Sequence, residues 1–139
     1  MPSTQSEDVE RFSDILGIGS AVMTAVAMTA VGVFALENAL YGAVAGVFVG
    51  VGNYLFMPWF IRLSAAQEEG EENVPFSDLI DRVGGGPTRK LFGLGLEIGG
   101  IAMLAYAFTQ EEASLAIGAP IALAVALFVY LVGAVLFDR

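Results

Sequence analysis

Four long apolar stretches of this 139-residue chain contain a single residue of ionic type, Glu97, and a single carboxamide, Asn53. A charge at the centre of a membrane helix costs about 2.5–3.5 kcal/mol on the insertion scale, and such residues usually face the bundle interior. At 1.5 Å per residue, Glu97 lies ~10 Å from Lys90 and Asn53 ~14 Å from Arg62. The same count puts Ser20 and Thr24 roughly 9 and 15 Å from Asp14, and Tyr130 about 12 Å from Asp138. Each stretch therefore offers a polar group to one layer. Pro58 adds to it: lacking an N–H, it leaves the Tyr54 carbonyl without its intrahelical partner and favours a kink.

Two chemistries fit this set. In one, Glu97, Asn53 and the hydroxyls hold a proton or a cation, for which oxygen ligands suit Na⁺ or Mg²⁺. In the other, a protonated Glu97 hydrogen-bonds Asn53 or Thr24 and locks the bundle. One carboxylate does not neutralise a divalent ion, and on the far half the only threonine hydroxyls are those of Thr29 and Thr109. The lock is the favoured expectation. With no paired carboxylates and no nucleophile–base pair, neither an enzyme nor a bound cofactor or metal is expected.

Composition narrows the field further. The chain has no Cys, which removes disulfides, thiolate metal sites and cysteine nucleophiles. It has no His, which removes the commonest general base and most zinc sites. A net charge of −9 without a basic cluster argues against nucleic acid, whose phosphates require Lys and Arg. A mean hydropathy of +0.72 with only 15% charged residues points instead to the membrane.

The elements that must position the polar layer are four spans of about 20 residues, enough to cross a ~30 Å hydrocarbon core. They run Ile15–Leu36, Leu40–Ile61, Leu91–Phe108 and Leu115–Phe137. Backbone amides in lipid must bond internally, so an all-α, four-helix transmembrane bundle is predicted. All six basic residues (Arg11, Arg62, Arg82, Arg89, Lys90 and Arg139) fall on one side of this topology, and Glu37 and Glu111–Glu112 on the other. The positive-inside rule then makes both termini cytoplasmic in a multi-pass protein of the cell membrane. The acidic leader does not suit a cleaved signal peptide, which needs a positive n-region.

This divides the chain into a cytoplasmic amphipathic leader (1–14), a first hairpin (15–61), an acidic cytoplasmic loop (62–90) and a second hairpin (91–139). Phe76, Leu79, Ile80 and Val83 share one helical face behind Pro75, and Val9, Phe12 and Leu16 do so more weakly, so short interfacial helices are expected. Gly84-Gly85-Gly86-Pro87 ends the second of these, and Thr88 is placed to cap the third span. Phe12-Ser-Asp-Ile-Leu16 recurs as Phe76-Ser-Asp-Leu-Ile80, a faint sign of duplication. The acidic excess with one Lys in the chain fits a proteome adapted to molar salt, where self-repulsion is screened.

Span two carries Gly42, Gly46 and Gly50 at four-residue spacing, and span three carries Gly93, Gly95, Gly99 and Gly100. Small residues at such spacing let helix backbones approach closely in lipid, within the chain or against a partner. Gly42…Gly46…Gly50-Val-Gly-Asn53-Tyr-Leu-Phe-Met57…Arg62 resembles the second span of the ATP synthase protein I family. Leu96-Glu97…Ile101-Ala-Met-Leu104 is similar to the third span of some members, although Gly100 stands where they often place a basic residue. The resemblance implies an accessory role in assembling the ATP synthase rotor ring, with a proposed involvement in Mg²⁺ supply. The leading expectation is thus a non-enzymatic accessory or assembly subunit in the bilayer, in a membrane complex or homo-oligomer. A small proton or cation transporter using Glu97 and Asn53 is the alternative.

Overall fold

A computed structural model describes residues 2–69, 75, 78, 81 and 87–137. Among the described residues four long helices are formed: α1 (Pro2–Ala35), α2 (Ala39–Glu69), α3 (Pro87–Ala107) and α4 (Leu115–Phe137). Each contains a stretch long and apolar enough to cross a membrane, the shortest being 20 residues. At 1.5 Å per residue that segment spans about 30 Å, the thickness of the hydrocarbon core. The chain is an integral, multi-pass membrane protein built as an all-α bundle.

Helix ends are set by identifiable groups. Between α1 and α2, Glu37 adopts a left-handed φ of 52° and the Asn38 N–H bonds the Gly32 carbonyl at 2.9 Å. A left-handed residue at this position ends a helix in the usual way, and the Asn38 bond satisfies one of its last carbonyls. Asn38 then caps α2, its Oδ1 accepting the Tyr41 N–H at 2.9 Å. At α4, the Ser114 carbonyl accepts the N–H groups of Ile117 and Gly118. α3 begins at Pro87, so proline fills the first turn and Thr88 lies within the helix.

Two expectations shift. The leader and the first span are one continuous helix rather than an interfacial piece followed by a span, because nothing between Asp14 and Leu16 stops the helix. Val9, Phe12 and Leu16 lie exposed along it. α2 likewise runs through Pro58 without a break and carries the first acidic residues of the loop as far as Glu69. The interfacial helix expected over Phe76, Leu79, Ile80 and Val83, and with it the second copy of the repeat, lies outside the described residues.

The packing order is serial. α1 lies along α2, α2 along α3, and α3 along α4, while α2 and α4 touch only marginally. The central pair is accordingly far more buried than α1 or α4. Glycine makes the seams close. A Cβ on Gly42 would lie 2.5 Å from Gly32 Cα, and one on Gly46 would lie 2.7 Å from the Ala25 carbonyl oxygen. Across α2–α3, a Cβ on Gly52 would meet the Gly93 carbonyl and the Glu97 nitrogen at 2.5 Å each. Across α3–α4, a Cβ on Gly95 would lie 2.7 Å from the Ala126 carbonyl oxygen.

Candidate functional site

Three of the five residues expected in the polar layer come together. Asn53 is 4% exposed, and its Nδ2 donates to Ser20 Oγ at 2.7 Å and to Thr24 Oγ1 at 3.3 Å. The Thr24 hydroxyl donates in turn to the Ser20 carbonyl at 2.7 Å. With its one proton spent on the backbone, Thr24 Oγ1 can only accept, which accords with the amide nitrogen facing it. Asn53 Oδ1 is left buried without a hydrogen-bond partner.

Glu97 is half-buried and stands beside this cluster without joining it through a hydrogen bond. Its backbone packs on Gly52, the neighbour of Asn53. The expected bond from Glu97 to Asn53 or Thr24 is absent: Asn53 gives its amide hydrogens to α1, and Thr24 gives its hydroxyl to the Ser20 carbonyl. Tyr130 does not enter the layer either. α4 packs on the other side of α3, through Gly95 and Gly99, and Tyr130 meets Phe92 edge-on at 6.2 Å between ring centroids.

Of the two uses open to the glycines, within the chain or against a partner, the bundle makes the first. Gly42, Gly46 and Gly50 face α1, Gly93 and Gly100 face α2, and Gly95 and Gly99 face α4. Pro58 serves the same purpose: a Cβ on Gly17 would lie 2.8 Å from its Cγ, so the ring fills the space that glycine leaves on α1.

The far half of the bundle is filled by a packed cluster of Tyr41, Ala45, Met103, Leu104, Ala107 and Ala122. Tyr41, fully buried, donates its hydroxyl to the Met103 carbonyl at 2.7 Å. At the opposite end, Arg62 ties the tip of α2 to the leader. Its Nη2 lies 3.2 Å from Asp14 Oδ1 and 3.7 Å from Glu10 Oε1, and its Nε donates to the buried Ser13 Oγ at 3.4 Å. Lys90 stands 5.8 Å from the centre of the Trp59 ring, a cation–π contact between α3 and α2.

Sequence reading missed Tyr41, Asn38 and the Arg62 clamp. Only Asn38 carried a signal, as a cap-type residue directly before an apolar run. Comparison with protein-family models, curated proteins and solved structures finds no match for this chain.

Proposed function

We propose that this protein is a non-enzymatic accessory or assembly subunit of a larger membrane complex, docking through the outer side of the α1–α2 hairpin. The observation that carries this reading is an apolar groove of about 270 Å³ along that seam. Ala21, Ala25, Gly46 and Gly50 form its floor, and Val22, Val47, Val51 and Tyr54 its walls. Small residues draw the two backbones together and leave nothing to fill the outer edge of their seam. α1 is also an edge helix, with Ile18, Val22, Met23 and Val26 exposed. In lipid, where association is driven by packing, a trench of this kind suits the ridge of another helix.

The resemblance of spans two and three to the ATP synthase protein I family makes rotor assembly the specific form of this reading. We place both termini on the cytoplasmic side, from the segregation of basic residues. The test is affinity purification of tagged protein from its host membranes at native salt, with cross-linking and mass spectrometry. A defined complex that Val51→Trp dissociates, while the isolated protein stays folded, supports docking in the groove. Recovery of the protein alone after cross-linking overturns it.

The convergence of Asn53, Ser20 and Thr24 beside Glu97 favours a second reading, a small proton or cation transporter. The packed Tyr41–Met103 cluster weighs against it, since polar groups reach only the mid-membrane from the Arg62 end. Glu97→Gln discriminates: it abolishes proton-coupled transport and leaves an accessory subunit assembled.

A further inference from the structure

Asn53 Oδ1 is an acceptor with nothing to accept. It is buried, both amide hydrogens point to α1, and no donor in the chain bonds it. An acceptor left in this state destabilises a fold by about 1–3 kcal/mol. Two partners are open to it: the proton of a protonated Glu97, or a group from outside the chain.

The neighbouring group is Glu97. A Cβ on Gly52 would lie 3.0 Å from Glu97 Cα. Given standard backbone dimensions, the Cα atoms of Asn53 and Glu97 are within about 8 Å of each other, a gap their two side chains can span. Helical phase agrees. On α3, Gly95 and Gly99 turn to α4, and Glu97 lies well round the helix from both, beside the Gly93–Gly100 line that meets α2. On α2, Asn53 sits one residue from Gly52, between the faces that meet α1 and α3.

We propose that Asn53 Oδ1 and the Glu97 carboxylate together bind one monovalent alkali cation, Na⁺ in preference to K⁺. Charge sets the valence. Glu97 is the only carboxylate at this depth, and among the described residues no three Asp, Glu, His or Cys side chains gather at one point. One carboxylate neutralises one monovalent ion, whereas a divalent ion would leave a net positive charge in hydrocarbon. Carboxylate and carbonyl oxygens are the hard ligands such ions prefer. Size sets the selectivity, because the glycine contact between α2 and α3 does not widen for a larger ion without parting the helices. The site requires no path across the membrane and stands independently of the docking reading.

Competing groups are few. At this level α1 presents only the Ser20 and Thr24 hydroxyls and α2 only Asn53. Lys90 lies ~10 Å away along α3, and Arg62, Asp14 and Glu10 lie at the end of the α1–α2 hairpin. Na⁺ and a proton on Glu97 are thus direct competitors.

The test uses purified full-length protein in detergent and the carboxyl reagent dicyclohexylcarbodiimide, which consumes protonated carboxyls in apolar surroundings. Intact-mass spectrometry follows addition at Glu97, with Glu97→Gln as the unlabelled control and choline chloride holding ionic strength constant. Na⁺ is expected to slow labelling at least tenfold and K⁺ several-fold less, with more Na⁺ needed for half-protection as pH falls. Asn53→Ala is expected to keep the labelling and lose the Na⁺ protection. Equal rates in Na⁺ and choline overturn the site and leave Glu97 a proton site only. Better protection by Mg²⁺ overturns the monovalent assignment, and equal protection by K⁺ overturns the size argument. The wild-type competition decides each of these whether or not Asn53→Ala folds.

Discussion

The phenol of Tyr41 reaches across from α2 and donates to the carbonyl of Met103 on α3 at 2.7 Å, in a site fully closed to the surroundings. Gly118 of α4 packs directly on the same ring, so one side chain joins three helices. Tyr41→Phe keeps the ring and removes the bond, and is expected to lower stability by about 1 kcal/mol, a few degrees in melting temperature. Gly118→Ala drives a methyl into the ring and is expected to lower it further. Thermal unfolding in detergent, followed by circular dichroism, checks the order.

Glycine positions separate sharply by what a methyl would meet. A Cβ on Gly42 meets backbone atoms of Met28 and Gly32, whereas one on Gly19 meets nothing within 4 Å. Gly42→Ala should therefore part α1 from α2, and Gly19→Ala should stabilise α1 by about 0.5–1 kcal/mol through its helix preference. A protease-protection assay in detergent that ranked both variants alike would contradict the α1–α2 seam.

Ser20 and Thr24 look equivalent in sequence and are not. Thr24 already satisfies its own hydroxyl on the Ser20 carbonyl, and its contact to Asn53 is the longer one. Each of Ser20→Ala and Thr24→Val leaves one amide hydrogen of Asn53 unpaired, but Ser20→Ala removes the shorter bond and is expected to cost about 1–3 kcal/mol, while Thr24→Val stays below about 1 kcal/mol. Melting curves of the two single variants test this ordering.

The Arg62 clamp is exposed enough for salt to screen it. Asp14 and Glu10 are largely open to solvent while Arg62 is about a third exposed. Arg62→Gln is expected to lower stability by at most about 1 kcal/mol in dilute buffer, and the difference from wild type should vanish in molar salt. A salt-independent difference would mean that the lost contribution is the bond to Ser13.

Orientation is open to a direct measurement, because the chain has no native Cys. A single cysteine at Gln110 should react with a membrane-impermeant maleimide from outside intact cells. One at Glu68 should react only after the membrane is opened. The reverse pattern overturns the cytoplasmic placement of the termini.

The number of spans, their ends at the two short turns near Glu37 and Glu111 to within a residue or two, and the membrane setting were legible in the sequence because they depend on local quantities. Length against bilayer thickness and the need to satisfy backbone amides act on each segment alone. The candidate site was legible as a set of residue types at one depth, since rise per residue is fixed. What sequence could not decide was azimuth. Whether Asn53 turns to α1 or α3, whether Glu97 finds it, and whether Gly46 meets a neighbour inside or outside the chain depend on which helices pack side by side. That choice is made by the summed contact of whole faces. Tertiary structure put α4 on the far side of α3 and so removed Tyr130 from the layer. It gave the Asn53 hydrogens to Ser20 and Thr24 and left its oxygen without a donor.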